Sequence, residues 1–222
     1  MAKIGVVMAG CGVNDGSEIY EGTLTLLHLA RQGAEVVCMA PDMSQIDVID
    51  HRTGQPVGGE ERNVLTESAR LARGEITNIA DVNAEELDAV IFPGGFGAAK
   101  NLSDFAYNPN PDEMVVQMHV QQLVENMHTA GKPIGFICIS PASIGAVALR
   151  GKGVKLTIGN AADFAEKVEA LGNTHIDCAV EDIVIDDEHN IVSTPAYMLA
   201  QNILEAESGI EKLVAEICRR AG

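Results

Sequence analysis

The chain has 222 residues, 46% of them hydrophobic and 21% charged, which suits one large domain with a substantial buried core. Its 15 basic and 32 acidic residues give a net charge of −17, which repels phosphate backbones and anionic lipid and argues against nucleic acid or a membrane surface as partner. No apolar run approaches the ~20 residues of a membrane helix. Five widely spaced cysteines (Cys11, Cys38, Cys138, Cys178, Cys218), with no CxxC and no zinc-like Cys/His spacing, fit reduced cytosolic thiols better than a disulfide framework or a metal centre.

In chain order, Ile4 to Ala9 reads as a first buried strand. Val7-Met8-Ala9-Gly10-Cys11 faintly resembles a lipoprotein cleavage site, but the apolar stretch before it is too short for a signal peptide. Asp15 is the candidate cap of a helix, with Glu18 three residues later as in a capping box, and the helix runs to about Gln32 before Gly33. Its wheel puts Ile19, Thr23, Leu26, Leu27 and Ala30 on the core stripe, and Glu21, Thr25 and His28 on the polar side. Ala34 to Ala40 is a second strand. Residues 43–60 are polar and Gly-rich, with Gln45 to Asp50 alternating like an exposed strand, and a helix spans about Asn63 to Arg73. Asp88 to Phe92 is a third buried strand, broken sharply by Pro93-Gly94-Gly95-Phe96-Gly97. An irregular loop over 103–111 and a helix from about Asp112 to Ala130 lead to the apolar strand that ends at Cys138. Strand 154–158, helix 161–171, an alternating strand near 174–181, a hairpin around 186–190 and a last helix from about Met198 to Arg220 complete the chain. Cys38 and Cys178 fall in these strands and read as small core residues.

Apolar strands alternating with helices predict one α/β domain over residues 1–222, a mainly parallel sheet covered on both faces. In such sheets ligands bind beyond the carboxyl ends of the strands, where the strand order reverses. The turns after Ala9, Phe92 and Ile137 would meet at that edge. Cys138 there has two readings: a core thiol, or a nucleophile at a strand-to-helix corner, with Ser140 and Pro141 opening a helix whose N-terminus lowers the thiol pKa. The Pro-Gly-Gly exit is either a tight turn or a cradle of amides for an oxyanion, to which the Ile139 amide would add another donor. Glu18 and Glu21 either stabilise a first helical turn or turn a carboxyl into the crevice. His28, His51, His119, His128, His175 and His189 are all expected at the surface. Gly10-Cys11-Gly12-Val13-Asn14-Asp15-Gly16 approximates a dinucleotide fingerprint with one spacing too long, a weak signal for a nicotinamide or flavin.

A helix-borne glutamate, a Pro-Gly-Gly strand exit and a cysteine elbow, in this order, resemble the ThiJ/PfpI superfamily, which holds the Parkinson-associated deglycase and relatives of class I glutamine amidotransferases. Gly10-Cys11-Gly12-Val13, Asp15 to Ile19, Asn63-Val64-Leu65, Pro93 to Leu102 and Thr194 to Asn202 are similar to its ElbB branch, and the similarity spans nearly the whole chain. The resemblance implies a flavodoxin-like three-layer sandwich, usually homodimeric. It maps the nucleophile onto Cys138, its protonated glutamate partner onto Glu21, and the oxyanion donors onto the amides around Gly94, Gly95 and Ile139. It also implies a cofactor-independent glyoxalase of ElbB type, converting glyoxal to glycolate without a metal; the reduced thiols point to a cytoplasmic setting.

The departures from the superfamily are specific. The proteases carry a histidine directly after the cysteine, where this chain has Ile139. The amidotransferases carry a late His-x-Glu, which is absent. The deglycase histidine matches Gly159, and the small residue usual two places before the nucleophile is Phe136, which would crowd the elbow. A small-dicarbonyl glyoxalase is therefore the leading expectation. A redox-sensing or binding protein linked to isoprenoid biosynthesis, its thiol prone to sulfenic or sulfinic acid, is the alternative; an amidase or hydrolase would need a base beside the thiol.

Overall fold

The computed structural model describes residues 1–222. Its central sheet is built from β1 (Lys3–Val7), β2 (Glu35–Ala40), β5 (Thr77–Asn78), β6 (Ala89–Phe92), β7 (Ile134–Ile137), β10 (Val184–Asp186) and β11 (Ile191–Thr194), in the order β10-β11-β7-β6-β1-β2-β5. Every pairing is parallel except β10 with β11. The central strands are uniformly apolar because both faces are covered: Ile4, Val6, Ala89 to Phe92 and Phe136 are all fully buried. From β1 the chain steps outward to β2 in one direction and, later, from β6 to β7 in the other. The order therefore reverses beside β1, as a flavodoxin-like sheet requires.

Right-handed crossovers then put α1 (Ile19–Arg31) and α2 (Val64–Leu71) on one face and α4 (Met118–Thr129) on the other. The long α6 (Ile203–Ala221) lies along α1, and its Leu213 and Ile217 sit directly over Gly135 of β7. Short elements complete the fold: the ribbon β3 (Ile49–Asp50) with β4 (Gln55–Pro56), the five-residue α3 (Phe96–Lys100), and the pair β8 (Lys155–Leu156) with β9 (Thr174–His175), joined by α5 (Ala162–Ala170). No helix is long and apolar enough to cross a membrane.

Several boundaries differ from the sequence reading, each for a local reason. The helix expected from Asp112 begins at Met118, capped by Gln117, whose Oε1 accepts from the amides of His119 (2.8 Å) and Val120 (3.1 Å). The preceding residues are held off the helix axis by Arg150, whose guanidinium donates to the carbonyls of Pro111, Asp112 and Met114, each at 2.7 Å. The last helix starts at Ile203, not Met198, because Asn202 caps it and Ala196–Met198 form a separate 3₁₀ turn. The alternating segment 174–181 is strand only at Thr174–His175, so Cys178 is a half-buried loop residue and not a core strand thiol. Gln45 to Asp50 gives only the two-residue β3, and its Val48 and Ile49 are buried. Edge strand β5 is too short to leave a periodic signal. The hairpin at 186–190 forms as read: Asp186 Oδ1 accepts from the amides of Glu188 and His189, and Asn190 takes a positive φ.

Candidate active site

Four parallel neighbours, β11, β7, β6 and β1, end at the same edge of the sheet, so four turns meet there. The turn after β7 carries Cys138, the one after β6 carries Gly94 and Gly95, the one after β1 opens the Gly10–Gly16 loop, and the one after β11 carries Tyr197. Three of these were legible in the sequence. The fourth brings in Tyr197, whose signal was the Thr194-Pro195-Ala196-Tyr197 exit from an apolar strand.

Cys138 has φ of 63°, the left-handed conformation that non-glycine residues take only under constraint. Its amide donates to Thr194 O at 3.0 Å, and Ser140 Oγ donates to Pro93 O at 2.8 Å, so the elbow is tied to strand exits on both sides. Phe136 does not crowd the elbow: it stacks on Phe92 at a centroid distance of 5.3 Å, in space left by Gly145. The segment after the elbow, Pro141–Ala146, is wound as a π-helix.

Glu21 faces the thiol from α1. The residue is fully buried. Its Oε2 accepts from the Gly94 amide at 2.8 Å and its Oε1 from the Tyr197 amide at 3.3 Å. Gly94 is obligatory here, because a Cβ would stand 2.6 Å from Cys138 Cβ and 2.9 Å from Glu21 Oε2. The Gly94 amide is therefore taken by Glu21 and is not free for an oxyanion, contrary to the sequence expectation. The amides of Gly95 and Ile139 instead favour the charged form of the Cys138 sulfur.

Burial, and then the neighbouring Glu18 charge, push the Glu21 carboxyl up to about 8, against the lowering effect of Cys138 and the Gly94 and Tyr197 amides. Glu21 is thus a neutral acid at pH 7. Burial and then the Glu21 charge push the Cys138 thiol upward too, opposed by the amides of Gly95 and Ile139. The expected lowering by a helix N-terminus is outweighed by burial. With Glu21 protonated its repulsion disappears, and the two amides are left to stabilise a thiolate against burial alone.

The helix wheel of α1 is inverted in the fold. Glu21, Thr25 and His28 are buried, whereas Ile19 and Leu27 are each 42% exposed. Packing against α6 decides this: His28 Nε2 lies 3.1 Å from Glu207 Oε1. His28 is thus an interior histidine, as is the His175 side chain, whose Nε2 accepts from the Ile158 amide at 3.4 Å. The cap of α1 is Glu18, whose Oε2 accepts from the Glu21 amide at 2.7 Å. Asp15 instead accepts from the Ile49 amide at 2.7 Å and anchors the β3 ribbon.

The Gly10–Gly16 loop is not a phosphate cradle. Its amides close on its own carbonyls, Gly12 to Ser17, Gly16 to Gly12 and Ser17 to Gly10, and a Cβ at Gly16 would lie 2.3 Å from Cys11 N. The dinucleotide reading is therefore excluded by packing.

A cavity of about 180 Å³ opens over the sulfur, lined by Val13, Glu18, Gly95, Phe96, Cys138, Ile139, Phe164, Tyr197 and Met198. It suits a small, mostly apolar molecule. No histidine lines it. At Gly159, where the resemblance placed the deglycase histidine, a Cβ would stand 2.7 Å from Leu199 Cγ, so a leucine occupies that space.

The sequence model of the DJ-1/PfpI family matches residues 11–206. The chain is 44% identical to the human glutamine amidotransferase-like class 1 domain-containing protein 3, mitochondrial, over 100% of this chain and 84% of that protein. It is 43% identical to the rat ES1 protein homolog, mitochondrial, over 100% and 85%. Among solved structures, an isoprenoid biosynthesis protein with an amidotransferase-like domain from Ehrlichia chaffeensis superposes with a TM-score of 0.89 at 36% identity, covering 98% of this chain and 99% of that one. A cysteine elbow facing a buried glutamate, at the switch point of a flavodoxin-like sheet and matched along most of its length, makes this chain a member of the DJ-1/PfpI family.

Proposed function

We propose that the protein is a cofactor-independent glyoxalase acting on glyoxal or a similarly small dicarbonyl. One observation carries the reading: a strained cysteine elbow facing a neutral, buried carboxylic acid, with two amides beside it and a 180 Å³ cavity above. The Cys138 thiol releases its proton to solvent, and the resulting thiolate adds to an aldehyde carbon as the carbonyl electron pair moves to oxygen. The amides of Gly95 and Ile139 stabilise the developing charge, and Glu21 delivers a proton to give the hemithioacetal. Glu21, now a carboxylate, removes the proton from the sulfur-bearing carbon, and a proton returns to the adjacent carbon through an enediol. The product is a hydroxyacyl thioester; water cleaves it, releasing the hydroxy acid and the thiol, and Glu21 regains its proton from solvent. A cysteine–histidine hydrolase lacks its second member here, because the cavity holds no histidine.

The test is glycolate formation from glyoxal without added thiol or metal, in the wild type and in Cys138→Ala. The reading requires turnover that disappears in the variant; equal rates remove the cysteine from the chemistry. A second reading is a thiol-based sensor, and the name of the Ehrlichia chaffeensis relative suggests isoprenoid biosynthesis as the process it would serve. Oxidation of Cys138 at low peroxide with a change in partner binding, in a protein inert toward glyoxal, would favour it.

A further inference from the structure

We propose that Glu18 sets the charge specificity of the Cys138 cavity, admitting small neutral carbonyl compounds and turning away those that bear a carboxylate or phosphate. The inference deepens the glyoxalase reading and rests on it for calling the cavity a substrate site. Glu18 is the sole charged residue among the nine that line the cavity, seven of which are hydrophobic. Its carboxylate cannot swing away, because as the cap of α1 it accepts the Glu21 amide at 2.7 Å. Within the Glu18–Glu21 pair the charge belongs on Glu18. Burial raises both carboxyls: it carries the fully buried Glu21 up to about 8, whereas at Glu18 it is opposed by the amides of Glu21, Tyr20 and Ile19.

No cation offsets that charge from inside the cavity. Lys100 Nζ lies 6.0 Å from the centroid of the lining Phe96 ring but is held by Asp47 Oδ2 at 3.0 Å and by Asn14 O at 3.1 Å. Lys167 Nζ lies 6.0 Å from the Phe164 ring and sits over Phe105 at 4.7 Å. Neither lysine lines the cavity. An anion entering so small a space meets a fixed like charge across low-dielectric walls, and the −17 net charge of the chain acts in the same sense.

The experiment uses the full chain and two alkylating probes of nearly equal size, neutral iodoacetamide and anionic iodoacetate. Cys138 modification rates are read peptide by peptide by mass spectrometry, and the selectivity is normalised to that of a small free thiol. The wild type should prefer iodoacetamide by about tenfold or more beyond the free thiol, equivalent to about 1.4 kcal/mol. Glu18→Gln, which keeps a cap oxygen, should bring the selectivity to within about threefold of the free thiol. Wild-type selectivity equal to that of the free thiol overturns the proposal even if the variant does not fold. So does an excess that survives in Glu18→Gln, or a preference for iodoacetate, which would bring Lys100 or Lys167 into the cavity. Glyoxal turnover is measured separately: its absence overturns the glyoxalase reading, while the charge selectivity of the thiol is still decided by alkylation.

Discussion

Replacing Glu21 by glutamine tests the central claim about the site, that a buried carboxyl keeps its proton at neutral pH. In the folded chain Glu21 titrates near 8, against an ordinary value of 4.5. Between those values the folded chain holds a proton that the unfolded chain has released. Stability therefore falls as pH rises through the window, by about 1.4 kcal/mol per unit, and the acid-side contribution is gone above about pH 8. Glutamine is neutral throughout and has no such slope. It pays a pH-independent cost, because its single carbonyl oxygen can accept from the Gly94 amide or the Tyr197 amide but not both; an orphaned buried amide costs about 1–3 kcal/mol. The assay is urea unfolding of both proteins from pH 5.5 to 7.5, above the isoelectric region. The stability difference should shift by about 2.5 kcal/mol in favour of Glu21→Gln across that range, whatever its offset. Curves that stay parallel to within about 0.5 kcal/mol would mean that Glu21 is ionised in the fold, and the proton-delivery step would lose its donor.

Four further substitutions have expected outcomes. Gly94→Ala should cost more than about 3 kcal/mol and abolish activity, since its Cβ would meet Cys138 and Glu21 inside 3 Å. Gly33→Ala, at φ 70° with no atom within 4 Å, should cost only about 1–2 kcal/mol by thermal unfolding, and equal losses would contradict the packing argument. Ser140→Ala removes the 2.8 Å bond to Pro93 O; unfolding should record a loss of about 1 kcal/mol, with turnover falling further because the cysteine and Pro-Gly-Gly turns are uncoupled. His28→Ala should destabilise by about 2–3 kcal/mol, since the residue is 3% exposed and paired with Glu207. A change below about 0.5 kcal/mol would return His28 to the surface, where the helix wheel had put it.

The sequence alone determined the sheet and the edge at which its turns meet. Apolar runs at 4–9, 34–40, 88–92 and 134–137, punctuated by Gly33, Pro41, Pro93 and Gly131, carry their periodicity locally, and burial on both faces leaves them little choice. Parallel connection by helices then forces the Cys138 and Gly94 turns to the same end. What the sequence could not decide depends on partners distant along the chain. The buried side of α1 is chosen by α6, almost 180 residues later, so a stripe of Glu21, Thr25 and His28 lies inside while Ile19 and Leu27 stay out. The start of α4 is set by Arg150 reaching back to three carbonyls. The Gly94 amide looked available to an oxyanion until Glu21 was seen to occupy it, and Glu18 looked like an ordinary helix-start carboxylate until it was seen to line the cavity. Backbone pattern is a local property and survives in one dimension; which hydrogen-bonding group meets which, and which face a helix buries, are properties of contact that exist only once the chain has folded.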